Sequence, residues 1–269
     1  MDVKSISIIG CGWLGRPLAL TLMKEGWSVK GTASSVEKVE LLRQLGVDAY
    51  PFKASGQEWE IPVNVLNSQV LFLNLPPGRR GGKAPYDFIA LHQEILGLLE
   101  SEVIEHLVFI SSTGVYANTE RKVGEDSKIE PTNASAEVLY AVEEQIKNLT
   151  IPFTILRLAG LAGGERQPGR WFAGKKNIPG GDTPVNMIHR EDCINAILKC
   201  INANPTNRVY NLCADLHPPK SQFYKEQAAK LGLEIPDFDP GSVPFKIVVN
   251  MAFKKQFDYV FKYPDPISF

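Results

Sequence analysis

The chain is predicted to be an α/β protein, a doubly wound parallel sheet covered by helices, and three observations carry that prediction. Short β-branched and aliphatic runs alternate with amphipathic segments through the first half. A glycine cluster separates the first such run from the first amphipathic segment. After Ala159 the texture changes to glycine, proline and basic residues, which marks a smaller C-terminal region.

In order, Ile6 to Ile9 reads as a buried strand and Leu14 to Glu25 as a helix stopped by Gly26. Ser28 to Thr32 is the next strand, Val36 to Leu45 a helix stopped by Gly46, and a third strand lies near Ala49 to Phe52. Gln69 to Leu75 is a fourth strand, Tyr86 to Glu100 a helix and His106 to Ser112 a fifth strand. A helix around Ala134 to Leu149 and the strand Phe153 to Leu158 follow. Residues 163–181 read as ordered loops, because Trp171 and Phe172 give them something to bury. A helix at about Glu191 to Ile201, a strand at Val209 to Cys213, a helix at about Ser221 to Leu231 and an aromatic-rich tail complete the chain. The expected division is a first domain over 1–158, completed by parts of 184–214, and a smaller substrate-binding region over 159–269.

Composition bounds the function. The 269 residues suffice for a full core, and 44% hydrophobic with 22% charged residues is an ordinary globular mix. A net charge of -1 provides no long-range field for a phosphate backbone or an anionic membrane, so neither nucleic acid nor membrane is an expected partner. No window holds the ~18 apolar residues of a membrane span. The cysteines Cys11, Cys193, Cys200 and Cys213 lack Cys-x-x-Cys spacing, so no metal site is expected and they read as reduced thiols of a cytoplasmic protein.

Gly10-Cys-Gly12-Trp13-Leu14-Gly15 is Gly-x-Gly-x-x-Gly directly after a strand and opening a helix. In the Rossmann arrangement the first glycine permits a tight turn, the second lets backbone approach a pyrophosphate, and the third allows close helix–strand packing. Gly10, Gly12, Trp13, Leu14 and Gly15 are therefore candidate cofactor contacts. An NAD site usually carries Asp or Glu at the tip of the second strand for the ribose 2′-hydroxyl. Here the tip is Thr32-Ala33-Ser34-Ser35, with Lys38 close behind and no acid. Two hydroxyls and a lysine suit a 2′-phosphate, so NADP is favoured over NAD, with Ser34, Ser35 and Lys38 as candidate contacts. Helix capping by Ser34 and Ser35 is the alternative use of those hydroxyls.

Taken together, the glycine fingerprint, Asn74-Leu75-Pro76-Pro77, Ser111-Ser112-Thr113-Gly114-Val115-Tyr116, Ile155-Leu-Arg157-Leu-Ala-Gly160 and Val185-Asn186-Met-Ile-His189-Arg-Glu-Asp192 resemble the extended short-chain dehydrogenase/reductase family, also called the NAD-dependent epimerase/dehydratase family. The resemblance covers most of the chain. It implies cofactor contacts from Asn74, Leu75 and Pro76, a substrate-polarising hydroxyl at Ser112 with Thr113 as its neighbour, and dimers formed through the helices beside the fifth strand. Strand-end hydroxyls that satisfy loop backbone are the ordinary alternative for Ser111, Ser112 and Thr113.

Relatives place a catalytic Tyr-x-x-x-Lys on the helix that spans Ala136 to Ile146 here, the lysine lowering the tyrosine pKa. Reading Tyr140 as that tyrosine puts Glu144 in the lysine position. Reading Glu144 as the last residue of the longer Tyr-x-x-x-Lys-x-x-x-Glu pattern puts Ala136 and Tyr140 in the tyrosine and lysine positions. Both registers remove the dyad, and leave Ser112, Thr113 and Tyr140 as candidate catalytic groups. Lys147 lies seven residues after Tyr140, where a solvated lysine is the commoner finding.

Candidate substrate contacts are Arg79, with Arg80 and Lys83 in a glycine-rich loop, Arg170 among Arg166, Lys175 and Lys176, and Asn186. Their charge points to a small anionic substrate. His189 and Asp192 resemble an acid/base pair, but in relatives the segment positions the substrate loop, and Asp192 reads as a helix cap. Three functions stay open: an enzyme acting on a hydroxyl or carbonyl compound such as a nucleotide sugar, a non-catalytic sensor of NAD(P), and a scaffold that binds no nucleotide.

Overall fold

A computed structural model of the chain describes residues 4–77, 87–99 and 103–269. The first half runs β1 (Ser5–Ile9), α1 (Gly15–Lys24), β2 (Ser28–Ala33), α2 (Val36–Gln44), β3 (Asp48–Pro51), β4 (Val70–Leu73), α3 (Phe88–Gly97) and β5 (His106–Ser112). There follow β6 (Lys122–Val123), α4 (Ala134–Lys147), β7 (Phe153–Leu158), β8 (Gly160–Ala162) and α5 (Gly169–Phe172). The chain continues through β9 (Met187–His189), α6 (Arg190–Asn202), β10 (Arg208–Leu212), α7 (Lys220–Lys230), β11 (Ile247–Val248) and α8 (Met251–Phe257).

Seven strands form one parallel sheet in the order β10-β7-β5-β4-β1-β2-β3, the doubly wound order expected from the sequence. Strands covered on both faces need apolar side chains at successive positions. The chain supplies them: Ile6, Ile8, Leu71, Phe72, Leu107 and Phe109 are each fully buried. Each such side chain contributes about 1.5–3 kcal/mol of transfer free energy. Polar residues inside this layer are paired, as Ser7 Oγ is with Ser68 Oγ at 2.8 Å and His106 Nε2 with Thr154 Oγ1 at 2.9 Å.

The chain divides into two compact units. The first comprises 1–111, 133–156 and 197–209. The second comprises 112–132, 157–196 and 210–269, so residues 112–132 group with the C-terminal region. The second unit has its own core of Ala162, Ile178, Val185, Met187, Phe223, Tyr224 and Phe238. Two short parallel pairs, β6 with β11 and β8 with β9, organise its loops. Helix α5 closes on α7 because residue 169 is glycine: a Cβ there would stand 2.2 Å from the Gln227 carbonyl oxygen. Helices α5 and α8 fall in stretches that the sequence presents as loops and tail. Among the described residues no helix is long and apolar enough to cross a membrane.

Candidate functional site

In doubly wound sheets ligands gather at the carboxyl ends of the strands. At the end of β1, Gly10 takes φ +104°, and a Cβ there would meet the Asn74 carbonyl oxygen at 2.6 Å. A Cβ on Gly15 would lie 2.4 Å from the Gly10 carbonyl oxygen. Gly12, between them, has nothing within 4 Å of the space its Cβ would fill. The turn is thus fixed at two glycines by close packing and open at the third, the shape that lets a phosphate reach backbone N–H groups. The Asn74 amide donates to the Gly10 carbonyl at 3.1 Å, and the Asn74 N–H to Ile9 O at 2.9 Å. From β2, the Gly10 N–H donates to Thr32 Oγ1 at 3.0 Å and the Cys11 N–H to Thr32 O at 2.8 Å.

Helix α1 begins after Leu14, which offers no side-chain cap, and its first turn holds no acid. In its first turn the Arg16 N–H donates to Gly12 O at 3.0 Å, the Leu18 N–H donates to Leu14 O at 3.2 Å and Pro17 carries no N–H. It is therefore the positive end of the helix dipole, with no side chain or acid set against it, that favours an anion. Trp13 is half-buried in this turn and Leu14 buried beneath it, while Leu75 is half-buried and Pro76 exposed beyond β4. These residues suit the pyrophosphate of a nicotinamide dinucleotide. Burial pushes the Cys11 thiol up to about 12, so it takes part as a packing group.

At the tip of β2, Ser35 occupies the N-cap of α2 without making a capping bond. Its hydroxyl instead meets Glu37, whose carboxyl is held below its usual range chiefly by that hydrogen bond. Ser34 and Ser35 line a cavity of about 520 Å³ with Tyr50, Phe52, Lys53 and Glu60. Lys38 is exposed on the first turn of α2 and is not among the lining residues.

Helix α4 buries Ala136, Leu139, Val142, Glu143 and Ile146. The inward glutamate is Glu143, fully buried and accepting from Ser111 Oγ at 2.5 Å. Glu144 is exposed and pairs with Lys147 at 2.7 Å. Lys147 Nζ also stands 5.7 Å from the centroid of the half-buried Tyr140 ring. The lysine thus shares a face with Tyr140, but its charge is met by Glu144.

In the second unit, Ser112 Oγ accepts from the Gly114 N–H at 3.0 Å and caps the short 3-10 turn Thr113–Val115. Thr113 is buried and directs its hydroxyl to Leu158 O at 3.4 Å. Arg157 is buried and donates through Nη1 to the Tyr116 hydroxyl at 2.7 Å, which donates in turn to Asn211 Oδ1 at 2.9 Å. The Asn186 amide fastens one segment, donating to Lys246 O and accepting from the Val248 N–H, both at 2.8 Å. Arg170 is exposed and bonds Gln167 Oε1 at 2.8 Å. Arg79, Arg80 and Lys83 lie outside the described residues.

His189 packs its ring 4.0 Å from that of Tyr263, and its Nδ1 accepts from the Glu191 N–H at 3.3 Å. Burial lowers its pKa. Asp192 is no helix cap: its carboxylate accepts from the backbone N–H groups of Lys262 and Tyr263 at 2.7 and 2.8 Å, fastening the tail. Glu143 is a residue that sequence reasoning missed, and a helical period readily finds it, because it lies on the stripe of Ala136, Leu139 and Ile146. The place of Lys53 in the cavity lining has no local signal, since it depends on the β2–β3 register.

Among the described residues no group of three or more His, Cys, Asp or Glu side chains is placed to hold a metal ion. Residues 10–204 match the family described as NAD(P)H-binding. Protein YeeZ of Escherichia coli (strain K12) is 35% identical over 273 residues, covering 98% of this chain and 98% of its own. A functionally unknown conserved protein from Silicibacter pomeroyi DSS shares the fold with a TM-score of 0.80 and 22% identity, over 99% of this chain and 96% of that one. UDP-glucuronic acid 4-epimerase from Bacillus cereus, solved in complex with NAD, gives a TM-score of 0.79 at 17% identity, over 98% of this chain and 96% of that one. At such identities the solved structures speak for the fold, and they bring neighbours of the epimerase/dehydratase kind to it. Since that match spans residues 10–204, well over half of the sequence, the chain belongs to the NAD(P)H-binding family.

Proposed function

We propose that this protein is an NAD(P)-dependent oxidoreductase or epimerase-like enzyme that acts on a hydroxyl or carbonyl group of a small anionic substrate, a nucleotide sugar being the leading class. The observation that carries the reading is the open Gly12 turn beneath the uncapped N-terminus of α1. Backbone so shaped is spent on a pyrophosphate and has little use otherwise. A bound nicotinamide supplies hydride acceptance or return. The chain's own part is to hold the pyrophosphate at Gly10, Gly12 and Gly15, to position the cofactor with Asn74, Leu75 and Pro76, and to move one proton.

That proton does not pass through a Tyr–Lys dyad. With Glu143 as the buried glutamate of α4, the positions four and eight residues earlier are Leu139 and Ser135; with Glu144 they are Tyr140 and Ala136. Neither register pairs a tyrosine with a lysine. Ser112, Thr113, Tyr140 or a bound water is left as donor. Ser112 is the best placed chemically, because its oxygen accepts from Gly114 while its own proton stays available. Arg79, Arg170 and Asn186 remain the proposed substrate contacts, and a homodimer the proposed assembly.

The test is the nicotinamide absorbance change of the purified protein against a panel of sugar nucleotides, aldehydes and ketones. Turnover with any of them, reduced at least tenfold by Ser112→Ala, supports the reading. No absorbance change across the panel, together with no interconversion of the sugar nucleotides into epimers by chromatography, removes it. The missing dyad favours a second reading, a sensor that binds without turnover. Calorimetry with oxidised and reduced cofactor separates the two, since a sensor needs unequal affinities.

A further inference from the structure

Within the second unit, the turn that follows Ser112 and the Asn186 amide both meet Lys246. Its Nζ donates at 2.6 Å to the carbonyl of Tyr116, the residue that closes the turn capped by Ser112. Its own carbonyl accepts from the Asn186 amide, and two residues on the Val248 N–H donates back to Asn186 Oδ1, both at 2.8 Å. The backbone on either side is laddered to the segment that holds β6. The Glu120 N–H donates to Phe245 O at 2.8 Å, and the Ile247 and Val249 N–H groups donate to Arg121 O and Val123 O, each at 2.9 Å. Tyr116 is fixed at its other end as well, because Arg157 Nη1 donates to its hydroxyl at 2.7 Å. The backbone of Lys246 is thus placed by the ladder and its ammonium by the turn.

That ammonium lacks a counter-ion. Lys246 is half-buried, and burial lowers its pKa. Among the described residues no carboxylate is ion-paired with it. The Tyr116 carbonyl takes one of its three N–H donors and brings no negative charge. Along the ladder Arg121 and Lys122 add positive charge, while Glu120 is exposed, where water screens it. Glu125, the half-buried acid of this region, accepts from the Asn211 N–H at 2.8 Å and answers to the charge of Arg157. A cation drawn out of water costs stability unless an opposite charge meets it. An oxyanion of a ligand supplies that charge and accepts from the remaining donors.

We infer that Lys246 is the residue that meets the anionic group of the substrate, a carboxylate or phosphate oxygen, and that Asn186 and the Ser112 turn hold it in place for that contact. The inference rests on the proposed function and deepens it, since it gives the substrate's charge a cation on the segment bonded to the turn of Ser112.

Calorimetric titration of the full chain with UDP-glucose and with UDP-glucuronic acid, at low and at physiological salt, tests it, and NADPH is the control for fold and cofactor binding. Lys246→Met keeps the reach of the side chain and removes its charge. It weakens UDP-glucuronic acid about tenfold, the scale of one charge-assisted contact, and leaves NADPH within about twofold. An equal loss for UDP-glucose assigns the contact to a phosphate, and a loss confined to UDP-glucuronic acid assigns it to the sugar carboxylate. Lys246→Arg keeps both ligands within about threefold. Salt weakens binding to the wild type, and most of that dependence is gone in Lys246→Met. Unchanged affinity for both sugar nucleotides in Lys246→Met, a loss of the same size at both salt concentrations, an equal loss for NADPH, or no sugar-nucleotide binding by a wild type that binds NADPH would overturn the inference and leave cofactor binding intact. A folded wild type that binds neither NADPH nor a sugar nucleotide would remove the proposed function itself, and this inference with it.

Discussion

The β1–α1 turn and helix α4 are both parts of a dinucleotide-binding scaffold, and they keep its signs to very different degrees. The turn is defined by what is absent, the Cβ atoms at Gly10, Gly12 and Gly15, and its hydrogen bonds run through backbone and through Thr32 and Asn74. Helix α4 keeps its place against β5 through Glu143 and Ser111, yet its sequence carries no Tyr-x-x-x-Lys spacing. The scaffold use of a helix and its chemical use can therefore separate. Packing fixes the buried stripe, whereas chemistry needs particular residues on the remaining face.

The turn gives the largest expected effects, because two of its glycines answer to different demands. Gly15→Val pushes a side chain against the Gly10 carbonyl and costs about 3–5 kcal/mol, read as a fall in the denaturation midpoint. Gly12→Val has open space, so it changes stability by no more than about 0.5 kcal/mol, yet it lowers dinucleotide affinity about a hundredfold by filling the phosphate approach. A Gly12→Val protein that binds as the wild type does would end the comparison, since the turn would then be only a strand–helix connection.

On α4 the corresponding test is Glu143→Ala. It leaves the buried Ser111 hydroxyl without its acceptor and opens a void, at a cost of about 3 kcal/mol. Glu143→Gln, which keeps an acceptor oxygen, recovers at least half of that. Urea denaturation of both variants decides whether the helix is held by this pair.

Acid acts on the core of the first unit. His92 is fully buried against Phe88 and Phe109, and His106 opens β5; burial lowers each to about 4. Their folded pKa values lie below the ordinary value of about 6.5, so between pH 4 and 6.5 the unfolded chain binds more protons. Stability is therefore full above about pH 7, falls as pH drops through 6.5, and levels off near 4. A shift of this size corresponds to at most about 3.5 kcal/mol per histidine. His106→Gln should flatten part of that slope; an unchanged slope would place the acid sensitivity elsewhere.

The order and bounds of the seven sheet strands were largely legible in the sequence, because strands buried on both faces require unbroken apolar runs and the glycine turn marks the first crossover. β5 and β7 match their expected bounds, and α1 and α2 differ by a residue or so. The second unit was less legible. β6 pairs with β11 more than a hundred residues later, and each has two residues, too few to show a period. Helix α8 sits in a tail that reads as aromatic rather than amphipathic. At the candidate site, Gly10 to Gly15 were legible because backbone shape dictates residue type there. The meeting of Lys53 with Ser34 and Ser35 in one cavity lining was not, because strand register decides which side chains meet. Asp192 reads as a cap from its position at a helix start, while its partners, the Lys262 and Tyr263 N–H groups, lie seventy residues away.

The smallest effect separates two neighbouring glutamates of α4. Glu144 and Lys147 form an exposed i,i+3 pair at 2.7 Å, with side chains 48% and 32% accessible. Water and salt screen such a pair, and its two long side chains lose rotamer freedom in making it. Glu144→Ala should thus change stability by no more than about 0.5 kcal/mol, against about 3 kcal/mol for Glu143→Ala one residue away. A double-mutant cycle with Lys147→Ala measures the pair itself, expected at about 0.3–0.5 kcal/mol and reduced by salt. A Glu144→Ala loss as large as that of Glu143→Ala would mean that the inward glutamate has been misassigned. The register of α4 would then return to Tyr140 and Ala136 as the positions facing the site.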